Sequence, residues 1–226
     1  MRDTVIWFDF GGVLSPSPAE LFAAYERKTG IPPRQLAAAL REVGRAWGED
    51  PLAALELGRV TEAHWGREIS RVLAAAGVDL SRARLENFGA QWFEGVHGNA
   101  AMLGAARRLR RDGHLIGVLS NNVREWEPYW QPIIAPAGGF DVIVDSCRVG
   151  VRKPDPRIYR LAEEAAGTGA AGSVLIDDVA ENVEAALAAG WRAIHFRATG
   201  QALEDLGALL GGSRTGGTLA ADRDQG

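Results

Sequence analysis

The sequence predicts an α/β fold, a doubly wound parallel sheet with helices on both faces and a helical insertion behind the first strand. Short apolar runs ending in glycine or acidic residues recur along the chain. From residue 99 onward, helical patterns alternate with them, the signature of βα units in a parallel sheet. Residues 15–97 break this rhythm, with several helical patterns and no convincing strand.

The first apolar run, Val5 to Phe10, ends in Gly11-Gly12 and reads as a buried strand followed by a tight turn. Leu115–Leu119, Val142–Val144, Val174–Ile176 and Ala193–Phe196 read as further strands. Between them, residues 99–112, 156–166 and 179–189 carry apolar positions at helical spacing, and Gly190 suits a helix stop. Within the insertion, Thr61 can cap a helix whose apolar stripe is Trp65, Ile69, Val72 and Leu73. Residues 211–226 are glycine-rich without apolar period and are expected to form a flexible tail.

The chain of 226 residues carries 25 basic and 29 acidic side chains, a formal charge of -4 that excludes the basic footprint of a nucleic-acid binder. Arg107, Arg108, Arg110 and Arg111 cluster late in an expected helix, where cations suit the negative end of the dipole. With the single cysteine Cys147 no internal disulfide can form, and a reducing cytoplasm is the expected setting. The N-terminal run is broken by Asp9, so no signal peptide is expected, and no stretch is long enough to span a membrane. Trp47, Trp65 and Trp92 of the insertion are expected to pack it internally, although a homodimer contact or an aromatic pocket would also use them.

Four stretches can carry chemistry, and each is expected just past the C-terminal end of a strand, the edge where open parallel sheets bind ligands. In Asp9-Phe10-Gly11-Gly12, a strand-end carboxylate can attack phosphorus while the backbone turns beneath it. In Leu119-Ser120-Asn121-Asn122, a hydroxyl and an amide can bond phosphate oxygens. Lys153, held before Pro154, supplies a point charge for a phosphate. Asp177 and Asp178 end an apolar strand, with Asn182 shortly after. Adjacent carboxylates repel unless a cation lies near, and magnesium, which takes oxygen ligands, fits.

In their joint order these four stretches resemble the motifs of the haloacid dehalogenase-like hydrolase superfamily. The match runs across residues 5–197. Within the superfamily it is similar to subfamily IA and to the N-terminal phosphatase domain of mammalian soluble epoxide hydrolases, above all in FDVIVDSCRVGVRKPDPRIY from Phe140 to Tyr159. The resemblance implies a Rossmann-like core of residues 1–14 and 98–210, with residues 15–97 as an α-helical cap. It implies a magnesium-dependent phosphatase that hydrolyses a small phosphorylated metabolite through an aspartyl-phosphate. Asp9 would be nucleophile and magnesium ligand. Ser120 and Asn121 would bind the phosphoryl group, and Lys153 would neutralise it. Gly11, through its carbonyl, and Asp178 would complete the metal site, supported by Asp177 and Asn182.

The first motif departs from the family pattern. Phosphatases of this family usually carry a second Asp where this chain has Gly11, and its side chain is their general acid and base. General acid–base catalysis contributes about 10²–10⁴-fold. A good leaving group, such as a sugar 1-phosphate, would reduce the need for it. Otherwise the insertion must supply a proton, with Glu20, Tyr25, His64 and His97 as titratable candidates. Two further readings stay open: a dehalogenase using the same Asp nucleophile, and a weakly active or non-catalytic binding module.

Overall fold

The computed structural model describes residues 4–211. Five strands, β1 (Val5–Phe8), β2 (Leu115–Ser120), β3 (Val142–Asp145), β4 (Ser173–Asp177) and β5 (Arg192–His195), form one sheet of order β3-β2-β1-β4-β5. All neighbours run parallel. The helices in chain order are α1 (Pro18–Thr29), α2 (Pro33–Trp47), α3 (Pro51–Glu56), α4 (Glu62–Ala75), α5 (Phe88–Trp92) and α6 (Ala100–Arg111). Then follow α7 (Glu127–Ile134), α8 (Ser146–Val149), α9 (Pro156–Ala166), α10 (Ala180–Ala188) and α11 (Thr199–Gly211).

The central strand β1 is buried along its whole length, as a strand covered on both faces must be. Its alternate residues enter opposite layers. Ile6 and Phe8 join Met102, Ala106 and Leu206 beneath α6 and α11. Val5 and Trp7 join Ile158, Tyr159 and Ala186 beneath α9 and α10, with Trp7 stacked on Trp191 at 5.9 Å. Burying one such side chain fully stabilises by about 1.5–3 kcal/mol, so this alternation fixes the register of the sheet.

The doubly wound sheet matches expectation, with shifts of one or two residues at strand ends. The largest is at β1, which stops at Phe8, because the backbone leaves the sheet for a tight turn over Phe10–Leu14 in which Gly11 and Gly12 depart from helical geometry. The expected tail lies outside the described residues except Gly211, which ends α11. Among the described residues no helix is long and apolar enough to cross a membrane.

The chain from 18 to 92 is helical between β1 and β2, and its helices begin where the sequence supplies caps. Ser17 and Glu20 form a reciprocal capping box at α1, Asp50 accepts from Leu52 N–H at α3, and Thr61 accepts from His64 N–H at α4. The helical segment is tied to the sheet side by Glu62, which accepts from Gly89 N–H and from Trp126 Nε1, both at 2.6 Å. Phe88 stacks on Trp126 at 5.7 Å across the same junction.

The strand order places β1 between β2 and β4, so the chain first winds one way from the centre and then the other. That reversal opens a crevice beyond the C-terminal ends of these strands. Asp9 follows β1, Asn121 follows β2, and Asp177 ends β4.

Candidate active site

Asp9 continues the sheet by one residue: its N–H donates to Ile176 O at 2.9 Å and its backbone is extended. The turn that follows depends on Gly12, which has φ 69°. A Cβ there would also meet Asp178 Oδ2 at 2.2 Å. Gly12→Ala should therefore combine backbone strain with displacement of Asp178. A loss of about 1–3 kcal/mol in unfolding free energy is expected, read by urea denaturation. Gly11 differs: its φ of -64° suits any residue, and a Cβ would meet only Asp9 Oδ2, at 3.7 Å.

Lys153 is fully buried, and its ammonium has three acceptors: Asp9 Oδ1 at 3.0 Å, Asp177 Oδ2 at 2.5 Å and Leu119 O at 2.7 Å. An ammonium has three protons, so none is left over. Asn121 fixes the backbone beneath it, accepting from Lys153 N–H at 2.8 Å and donating to Lys153 O at 3.0 Å. Asp177 is likewise saturated, accepting also from Val179 N–H at 2.9 Å and Asn182 Nδ2 at 3.0 Å. Asn182 is held in turn, its carbonyl accepting from Tyr159 Oη at 2.8 Å.

A cavity of about 360 Å³ opens above these groups. Asp9, Gly11, Asn121, Lys153, Asp178 and Asn182 all line it. Its lining also includes the apolar side chains of Leu21, Leu36, Trp65, Phe88, Trp92 and Trp126. Trp65 and Trp92 thus do more than the internal packing expected of them, since they also face the cavity. Trp47 does not, and stacks on His64 at 5.5 Å.

Several expected residues lie elsewhere. Ser120 is buried at the end of β2, pairs with Asp145 in the sheet, and is not in the cavity wall, where Asn122 stands instead. Of the titratable candidates in the insertion, none lines the cavity. Glu20 is spent on Ser17, Tyr25 is packed on Phe88 at 4.7 Å, His64 lies against Trp47, and His97 lines a separate cavity beside Arg107. The residues missed from sequence are Glu56 and Arg152, which do line it, with Arg152 Nε 2.9 Å from Glu56 Oε2. Arg152 could have been found from its place beside Lys153. Glu56 carried no local signal, being one acid in a helical insertion.

A sequence model of the haloacid dehalogenase-like hydrolases matches residues 4–190. The chain belongs to that family. This haloacid dehalogenase-like hydrolase is 29% identical to Phosphatase MT3486 of Mycobacterium tuberculosis, over 94% of its own length and 99% of that protein. It is 28% identical to Bifunctional epoxide hydrolase 2 of Sus scrofa over 90% of its length, and spans only 38% of that relative. Its fold is that of the HAD family enzyme BT-2542 of Bacteroides thetaiotaomicron, with a TM-score of 0.66 at 19% identity over 92% of this chain and 98% of that one. A second structure of BT-2542 is a complex with magnesium and inorganic phosphate.

The hydrolase can be tested for a metal on its own charges. Carboxylate oxygens of Asp9, Asp177 and Asp178 lie within 4.8 Å of one another. Burial pushes the Asp9 carboxyl up to about 7 against the pull of Lys153, with Asp177 and Asp178 adding to the rise. Burial and Asp177 raise Asp178 as well. Burial also works against the charge of Lys153, but Asp177 and Asp9 outweigh it and hold the ammonium above the ordinary lysine range. Three carboxylates against one ammonium leave an excess of negative charge, which a divalent, oxygen-seeking cation relieves. The donor set fits such a metal.

Proposed function

We propose that this chain is a magnesium-dependent phosphatase acting on a small phosphate monoester with a mainly apolar leaving group, through an aspartyl-phosphate on Asp9. The reading is carried by one observation: Asp9 and Lys153, 3.0 Å apart, line one cavity with Asp178. That is the set a phosphoryl group needs, a nucleophile, a fixed cation and a carboxylate with charge to share. The magnesium complex of BT-2542 and the name of Phosphatase MT3486 point the same way.

Asp9, Asp178 and the Gly11 carbonyl would hold the magnesium, with Asp177 behind them. When bound, the ion supplies electrostatic stabilisation of the charge that develops on the phosphoryl oxygens. The remaining work falls to the chain itself. Lys153 meets a phosphoryl oxygen, Asn121 holds Lys153 in place, and an Asp9 oxygen attacks phosphorus in line with the leaving group. Asp177 anchors the ammonium, and Asn182 anchors Asp177. The helical segment 15–97 acts as a cap that excludes water and strengthens these contacts. The acidic cluster favours this chemistry over carbon–halogen cleavage, which the sequence left open. The buried single thiol of Cys147 suits a reducing, cytoplasmic setting.

The cavity walls alter the expected leaving group. A sugar needs hydrogen-bond partners around its hydroxyls, whereas leucine, phenylalanine and tryptophan side chains make up much of the cavity lining. In a phosphate-release screen, medium-chain alkyl phosphates should exceed sugar phosphates in kcat/KM by about tenfold or more, since burying two methylenes is already worth about 1.6 kcal/mol. Removing divalent cations with EDTA should stop turnover, and magnesium should restore it. Equal rates on sugar phosphates would refute the apolar leaving group, and EDTA-resistant activity would refute the metal.

A further inference from the structure

We infer that Glu56, from the helical segment, is the proton donor and acceptor that Gly11 cannot be, an assignment that rests on the phosphatase reading above. The cavity wall holds five titratable side chains: Asp9, Glu56, Arg152, Lys153 and Asp178. Asp9 is the nucleophile and Asp178 a metal ligand. Lys153 has every proton committed, and a guanidinium has none to give at ordinary pH. Glu56 is what remains.

Its surroundings suit the task. The side chain ends α3, is 9% exposed, and faces the same cavity as Asp9. Its carbonyl accepts from Ser146 Oγ at 2.7 Å, which fixes the end of α3 against the sheet side. Arg152 Nε lies 2.9 Å from Glu56 Oε2, yet neither atom makes a hydrogen bond, so the carboxyl is held without being saturated. Burial raises its pKa to about 7, offset by Arg152 and Lys153 and assisted by Asp50 and Asp145. A group of that strength gives and takes a proton near neutrality.

The steps balance. As the Asp9 oxygen bonds to phosphorus and the ester P–O bond breaks, protonated Glu56 passes its proton to the departing oxygen, releasing an alcohol. Ionised Glu56 then takes a proton from water as that water's oxygen attacks phosphorus. The Asp9–phosphorus bond breaks, phosphate leaves, and Glu56 is protonated again.

The test compares two esters on the same protein sample, so any loss of folded fraction cancels. Octyl phosphate leaves as an alkoxide and needs a proton, whereas p-nitrophenyl phosphate leaves as a stabilised phenolate and hardly does. Glu56→Gln should lower kcat/KM, which reports the steps through aspartyl-phosphate formation, by about 100-fold for octyl phosphate and by less than about threefold for p-nitrophenyl phosphate, while hydrolysis of the shared intermediate slows for both. In the wild type, kcat/KM for octyl phosphate should fall as pH rises above about 7, and that fall should vanish in the variant. Adding Gly11→Asp, where the backbone accepts a side chain beside Asp9, should recover at least about tenfold on octyl phosphate. Equal losses in kcat/KM on both esters, or no loss on either, overturn the assignment and leave the phosphatase standing. A wild type that releases phosphate from neither ester overturns both.

Discussion

Asp9→Asn is expected to abolish phosphate release, by about 10⁴-fold or more, as removal of a nucleophile does elsewhere. Asn has the same shape and still offers an oxygen to Lys153, so the loss reports chemistry rather than packing. Stability gives an independent check, and its sign follows from the carboxyl's environment. The folded-state pKa of Asp9 is raised to about 7, so in metal-free protein its contribution is fully present below the ordinary aspartate range and is lost as pH rises through about 7. The Asn variant cannot ionise and escapes that loss. Metal-free Asp9→Asn should therefore melt no lower than wild type at pH 8, while being inactive with magnesium. Full activity in the variant would end the nucleophile assignment.

Lys153→Met should be the most damaging change in the site for the fold as well as for turnover. The ammonium is buried between Asp9 and Asp177, and its loss leaves two carboxylates facing each other beside the unpaired Leu119 carbonyl. Breaking a buried ion pair in this way costs about 3–5 kcal/mol, a large part of the stability of a single domain. Phosphate release should fall by about 10³-fold, the scale seen when a fixed charge-stabilising donor is removed. Because Asp9 shares the interaction, the double variant with Asp9→Asn should be less unstable than the sum of the two. Urea unfolding of the four proteins reads this directly. Additive losses would mean that Lys153 and Asp9 do not sense each other.

The sheet and the floor of the site were legible in the sequence because both are written locally. β4 is a continuous apolar run ending in Asp177, and α9 covers the residues whose apolar spacing announced it. Pro156 opens that helix and Gly167 closes it. α7 was illegible because Pro128 and Pro132 interrupt its pattern, although Trp130, Ile133 and Ile134 bury its inner face. α11 escaped notice beside the glycine-rich residues that follow it. The cavity walls were illegible for another reason. Leu21, Leu36, Trp65 and Phe88 meet only through the mutual packing of helices far apart in sequence, and residue spacing does not encode that packing. Ser120 shows the limit on a smaller scale, since the loop turns Asn121 and Asn122 to the cavity and leaves the hydroxyl behind.

A phosphoryl oxygen arriving at the saturated ammonium of Lys153 must displace one of its present acceptors. Leu119 O belongs to the strand and Asp177 is locked by Asn182 and Val179, so the exchangeable acceptor is Asp9. On the phosphatase reading, substrate entry would thus strip the hydrogen bond that quiets the Asp9 carboxylate, and the attacking oxygen would gain its reactivity only once the atom it must attack is alongside.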